Sequence, residues 1–200
     1  MHLKLTSKLI FAVLILIAVL PIHSQASPAA IQGGVPIVVG AGFSDFSIDW
    51  GPGKRMEGIS AWADWFPNRL PAVLNGLGVE AEGRDIDFGR PAGVTKVRQD
   101  TGLGGLIYTW NRYLNVRPYV KYLAGVGSID FPPAGTYSHD TFSVFSPGGG
   151  VEYRAWRHIW IRGDYDYQFW HHTFGNNDLT PTGFTIGASY DFRPWAPERN

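Results

Sequence analysis

Apolar and polar positions alternate along the segment from Phe184 to Phe192, which reads Phe-Thr-Ile-Gly-Ala-Ser-Tyr-Asp-Phe. Even-numbered positions are apolar or aromatic, and odd-numbered positions are small or polar. A period of two predicts an extended strand with one apolar face and one polar face. An oily outside, a polar inside and an aromatic last residue are typical of a strand in a membrane-spanning barrel.

Seven further segments with the same alternation precede it, separated by turn-forming residues. They are predicted at 36–46, 57–66, 74–87, 97–110, 116–128, 141–155 and 159–170. The pattern therefore predicts an all-β fold, an eight-stranded antiparallel transmembrane β-barrel with an up-and-down meander and a polar, packed lumen. A closed sheet satisfies every backbone donor and acceptor in hydrocarbon. Connections are predicted to be long after odd-numbered strands and short after even-numbered strands, as in outer-membrane barrels.

The first 26 residues predict export. Lys4 and Lys8 precede an uncharged apolar run from Leu9 to Leu20, and Ser24-Gln25-Ala26 offers small residues for cleavage. A run of about a dozen residues is shorter than a bilayer-spanning helix and suits a cleaved signal peptide. We expect a signal peptide at 1–26, a flexible leader at 27–35, the barrel at 36–192 and a short periplasmic tail at 193–200.

Composition limits the possible partners. The chain has 17 basic and 17 acidic residues and no cysteine. Without residues 1–26, which contain two lysines and no acidic residue, 15 basic and 17 acidic residues remain. This near balance argues against nucleic acid as a partner. The lack of cysteine excludes disulfides and thiol chemistry, and no cofactor is expected.

Charged residues occupy the wet faces of the predicted strands in equal numbers of each sign. Ionised groups away from bulk water are paired, so we expect a lumen closed by ion pairs rather than a selective pore. The expected lumenal network consists of Glu80, Glu82, Arg84, Arg98, Asp100, Arg117, Lys121, Glu152, Arg154, Arg162, Asp164 and Asp166.

Aromatic residues gather near the ends of the strands that meet at the short turns. Amphipathic rings prefer the interface between bilayer and water. The expected aromatic girdle consists of Trp65, Trp110, Tyr119, Trp156, Tyr190 and Phe192.

The segments 117–127, 148–154, 161–167 and 183–192 resemble strands of the OmpA-type and Opa-type small outer-membrane barrels. The resemblance covers residues 36–192. It implies a Gram-negative-type outer membrane, both chain termini in the periplasm, and roles from adhesion to wall tethering. It also implies contacts with the lipid bilayer, with lipopolysaccharide and with the barrel-assembly machinery through the C-terminal strand. Arg193 to Asn200 extends beyond the aromatic residue that usually ends such a chain.

Three alternatives to a structural or surface-interaction role remain. His171-His172-Thr173 is loosely similar to the His-x-Ser-Asn arrangement of lipid A deacylases, outer-membrane enzymes built on small barrels. Because a threonine without an identified acidic partner makes a weak triad, we expect no catalysis. The second alternative is a narrow pore. The third is a soluble exported lipocalin-like barrel, which would bury its oily faces.

Two pairs of carboxylates could bind calcium, because each pair lies at positions i and i+2 on one strand face. They are Asp85-x-Asp87 and Asp164-x-Asp166. Arg162 shares a face with the second pair, and neighbouring strands carry more arginines. Ion pairing is therefore the preferred interpretation, and no metal site is expected.

Overall fold

The computed structural model describes residues 35–47, 55–67, 70–88, 98–110, 115–131, 138–173 and 177–193. The predictions of a signal peptide, of a leader up to residue 34 and of a tail beyond Arg193 lie outside the described residues. No helix in these ranges is long and apolar enough to cross a membrane.

The described residues form ten strands and one short 3-10 helix, Ala72–Leu74. The strands are β1 (Ile37–Ser47), β2 (Arg55–Trp65), β3 (Leu77–Phe88), β4 (Arg98–Thr109), β5 (Val116–Phe131), β6 (Ser138–Arg154), β7 (Ile159–Tyr167), β8 (Phe169–Thr173), β9 (Asn177–Leu179) and β10 (Thr182–Asp191). All pairings are antiparallel between neighbours, and β10 pairs with both β7 and β1, which closes the sheet. Because β8 continues β7 and β10 continues β9, the wall has eight strands. The predicted eight-stranded antiparallel barrel is confirmed.

The apolar faces of the strands point away from the lumen. Ile161, Tyr165 and Ile186 are 42%, 55% and 59% exposed, while Arg162 and Asp164, on the other face of β7, are buried. In β2, buried and exposed positions alternate without exception. A lipocalin-like barrel would show the reverse, so this arrangement excludes it.

Strand β4 faces the opposite way from the prediction. Thr101, Leu103 and Ile107 point into the lumen and are buried, while Arg98 and Asp100 lie on the outer face. Both faces of this strand carry apolar residues and glycines, so polarity distinguishes them poorly. The register with β3 decides instead, because it places Leu103 opposite the inward-facing Glu82.

The barrel has two different ends. At one end, which we call the termini end, lie the start of β1, the last residue of β10 and the connections β2–β3, β4–β5 and β6–β7. At the other end, which we call the loop end, lie the connections β1–β2, β3–β4, β5–β6 and β8–β9. The prediction of alternating connection lengths is wrong in two places. The β2–β3 connection runs from Phe66 to Gly76, where a φ of 115° suits glycine. At the loop end, β5 and β6 extend so far that only residues 132–137 connect them.

Pro147 accounts for the break between β7 and β8. Strand β6 pairs with β7 over 148–154 and with β8 at Val144 and Phe145. Between these two stretches, Pro147 has no backbone N–H to donate to the neighbouring strand. The N–H of Gln168, opposite this break, donates to the carbonyl of Pro181 at 2.9 Å.

Candidate functional site: the ion-pair network of the lumen

Lys121 on β5 lies at the centre of the lumen. Its Nζ is 2.7 Å from Glu82, 3.0 Å from Asp164, 3.2 Å from Asp166 and 3.3 Å from Glu80. Two of these carboxylates come from β3 and two from β7. One ammonium group therefore connects three wall strands through the interior.

Arg162 on β7 makes the second set of contacts. Its Nη2 donates to both carboxylate oxygens of Glu80, at 3.1 and 2.8 Å. The same guanidinium lies 3.1 Å from Asp164 and 3.5 Å from Asp64. Asp64 on β2 was not included in the network expected from the sequence, although its strand face was predicted correctly.

Arg84 on β3 extends the network toward the loop end. Its Nη2 lies 2.7 Å from Glu82 and 2.6 Å from Asp166, and its guanidinium stacks over the ring of Phe46 at 4.2 Å. The face of an aromatic ring attracts a guanidinium through the ring quadrupole. Arg84 thus joins the charged centre of the lumen to its apolar part.

Tyr119 is part of this network, and its prediction as a girdle residue is wrong. It is 2% exposed; its hydroxyl donates to Asp164 at 3.0 Å and accepts from Nε of Arg162 at 2.7 Å. Odd-numbered positions of β5 face the lumen, as they do at Lys121. Proximity to a turn misled the prediction, because the strand face decides whether a ring meets lipid.

A second charged cluster fills the termini end. Arg117 lies 2.9 Å from Asp191 and 4.0 Å from Glu152, and it stacks over Trp160 at 3.5 Å. The guanidinium of Arg154 also lies over the Trp160 ring, 5.0 Å from its centroid.

Membership of this cluster differs from the prediction at three positions. Arg154 faces the lumen but has no ion-pair partner among the side chains that the structure describes. Asp191 and Arg193, which were not expected in the network, pair at 2.7 Å. Arg193 also lies 4.6 Å over the ring of Phe66, so the first residue of the predicted tail packs onto the barrel.

A large apolar cluster lies in the lumen toward the loop end. It consists of nine buried residues, namely Phe46, Met56, Ile86, Leu103, Leu123, Ile129, Val144, Trp170 and Leu179. Gly127 makes room for the largest of them, because a Cβ there would collide with the Trp170 ring. The sequence interpretation missed this cluster, since Ile129 and Leu179 lay in segments expected to be loops.

Arg98 and Asp100 lie outside the lumen, contrary to their prediction as network members. Arg98 contacts Asp85 at 2.8 Å and Asp100 at 3.0 Å, on the outer face near the loop end. All three side chains are more than a third exposed. The inverted orientation of β4 explains the error.

The other residues of the expected girdle lie on the outer face at the termini end. Trp65, Trp110, Trp156, Tyr190 and Phe192 are all exposed. The rings of Tyr190 and Phe192 pack edge to face with centroids 4.7 Å apart.

The oxygens of Glu82, Asp164 and Asp166 lie within 4.8 Å of one another, a spacing that could suit a metal ion. The Lys121 ammonium contacts all three carboxylates. A built-in cation therefore takes the position that a metal would need. In the other carboxylate pair, Asp85 is engaged by Arg98.

His171 has an acidic partner that the sequence interpretation did not identify. Its Nδ1 lies 3.4 Å from Oδ2 of Asp178, and both side chains are about half exposed. The ring also packs against Phe145 at 5.5 Å. The side chain of His172 lies outside the described part of the structure.

The chain also matches a family of known proteins. Residues 12–192 match the outer membrane protein beta-barrel domain. The chain belongs to this outer-membrane barrel family. The match confirms the resemblance to small outer-membrane barrels and indicates an outer-membrane location.

Solved structures of other small barrels are similar to it. Neisserial surface protein A has a TM-score of 0.64 at 15% identity, covering 80% of this chain and 100% of that one. Ail, the attachment invasion locus protein of Yersinia pestis, has a TM-score of 0.53 at 19% identity, covering 80% and 99%. OprG of Pseudomonas aeruginosa has a TM-score of 0.54 at 14% identity, covering 82% and 99%. No curated protein sequence matches the chain. At these identities, the likeness shows the fold alone.

Proposed function

We propose that this outer-membrane barrel has a structural or surface-interaction role, without catalysis and without an open pore. The observation that carries the proposal is the filled lumen. An ion crossing it would have to displace Lys121 and Arg162 from their carboxylates and then pass the nine-residue apolar cluster. Breaking a buried ion pair is strongly unfavourable.

The proposal includes an orientation in the membrane. The termini end faces the periplasm. The exposed rings there form the aromatic girdle at that interface, namely Trp65, Trp110, Trp156, Tyr190 and Phe192. The loop end faces outward, where the extended β5–β6 hairpin presents surface to lipopolysaccharide or to a ligand. The strand β10 followed by Phe192 is the segment that the barrel-assembly machinery would read.

Planar-bilayer recording tests the closed lumen. The full mature chain, refolded in detergent and added to a bilayer, is expected to produce no stable conductance. The gel mobility of boiled and unboiled samples serves as the control, because a closed barrel migrates differently from the unfolded chain. A large, stable conductance from the folded sample would contradict the proposal.

The contact between His171 and Asp178 favours one second candidate, an enzyme that modifies an outer-membrane lipid. A histidine oriented by a carboxylate can activate a hydroxyl nucleophile. Mass spectrometry of lipid A from cells with and without the chain separates the two functions. We expect identical profiles; an altered profile that Asp178→Asn and His171→Ala each restore to normal would instead establish the enzyme.

A further inference from the structure

The charges enclosed at the centre of the lumen do not balance. Five carboxyl groups, Asp64, Glu80, Glu82, Asp164 and Asp166, share this space with three cations, Arg84, Lys121 and Arg162. Each of these eight residues is at most 6% exposed. With every carboxyl ionised, the cluster would enclose two uncompensated negative charges. Enclosing unpaired charge away from water is strongly unfavourable, which points to protons within the cluster.

The position of one proton follows from two carboxyl groups on neighbouring strands. Asp64 on β2 and Glu80 on β3 are direct cross-strand partners, and the same guanidinium, that of Arg162, lies close to both carboxyl groups. Two carboxyl groups that share a site disfavour each other's ionised form. We therefore place one of the protons on this pair.

The surrounding cations identify which member that is. Glu80 accepts two hydrogen bonds from Arg162 and one from Lys121, all between 2.8 and 3.3 Å. Among the side chains that the structure describes, Asp64 has one cationic neighbour, Arg162 at 3.5 Å. Glu80 is thus held as a carboxylate, and the proton belongs to Asp64.

We propose that Asp64 is a proton-binding site of the folded barrel, neutral at pH 7 beside the ionised Glu80. The ionisable groups that face it are Glu80 from β3, Arg162 from β7 and Glu152 from β6. On β1 its cross-strand neighbour is the apolar Val38. Two of the three facing groups are acidic, and the arginine is shared with Glu80, so this environment favours a neutral carboxyl.

Proton uptake on folding follows from this assignment. An aspartate in the unfolded chain is ionised at neutral pH. The folded state therefore binds one proton more than the unfolded state, and stability falls as pH rises. Relative to Asp64→Asn, the unfolding equilibrium constant of the natural chain should rise by up to about tenfold per pH unit near neutrality.

Two matched variants of the full mature chain in phospholipid vesicles test the assignment. Asparagine replaces the proposed acid with a neutral side chain, so Asp64→Asn should leave the unfolding midpoint nearly unchanged. Glu80→Gln removes the acceptor of Arg162 and Lys121, and it should raise the unfolding equilibrium constant by about a hundredfold or more.

Infrared spectroscopy at pH 7 provides the direct readout. The natural chain should show a carbonyl band of a protonated carboxylic acid, and this band should be weaker in Asp64→Asn. The proposal is overturned if the natural chain lacks the band, if Asp64→Asn retains it undiminished, or if Asp64→Asn loses as much stability as Glu80→Gln. A failure of Asp64→Asn to fold counts as such a loss.

Discussion

Replacing Lys121 with methionine is expected to lower the free energy of unfolding by about 3–5 kcal/mol, the range for breaking a buried ion pair. The substitution keeps a long side chain but removes the ammonium group that four carboxylates share. Those carboxylates would then repel one another across an apolar side chain. Denaturant unfolding in phospholipid vesicles, followed by tryptophan fluorescence, measures the loss.

Arg98→Gln is the matched control, since it also removes one cation that contacts more than one carboxylate. Exposed ion pairs contribute little, so this variant should lose less than about 1 kcal/mol. Equal losses for the two variants would show that Lys121 has no special role as the centre of a buried network. A Lys121→Met barrel as stable as the natural chain would contradict the network outright.

The barrel wall could be predicted because lipid and lumen impose opposite demands on alternate residues. Strand β7 shows this most clearly, since Ile161 and Tyr165 flank the charged Arg162 and Asp164 in sequence but face the other way. This contrast between the two faces identifies both the strand and its orientation without any knowledge of its neighbours.

Strand β4 lacks this contrast, and the prediction failed there. Its inward positions include Leu103 and Ile107, and its outward positions include Arg98 and Asp100. The orientation is a property of the pairing with β3 and β5 rather than of the strand alone. A local pattern cannot contain that information.

The contacts across the lumen were beyond sequence reasoning for a related reason. Glu80 and Arg162 are 82 positions apart, and Tyr119 and Asp164 are 45 apart. Which inward residues meet depends on the stagger of the closed sheet, a non-local quantity. The sequence therefore indicated that the charged residues of the lumen would pair, but the predicted network included neither Asp64 nor Tyr119.

The apolar cluster at the loop end was missed because strands β5 and β6 continue into segments that were expected to be loops. Ile129 lines the lumen there and is fully buried. Barrel strands can extend beyond the bilayer, where no lipid enforces the outward pattern, so the alternation weakens even though pairing continues.

Replacing Ile186 with arginine tests whether the apolar outer face of the barrel contacts lipid. Ile186 lies midway along β10 on the outer face, so Ile186→Arg should lower the free energy of unfolding in phospholipid vesicles by about 2–4 kcal/mol, the effect of arginine near the bilayer midplane. Tyr190→Arg, on the same face of the same strand but near the termini end, should lose only about 0–1 kcal/mol. Reversible denaturant titration of both variants measures the difference. Equal losses at the two depths would contradict a bilayer around this surface, because only a medium whose polarity changes with depth distinguishes the two positions.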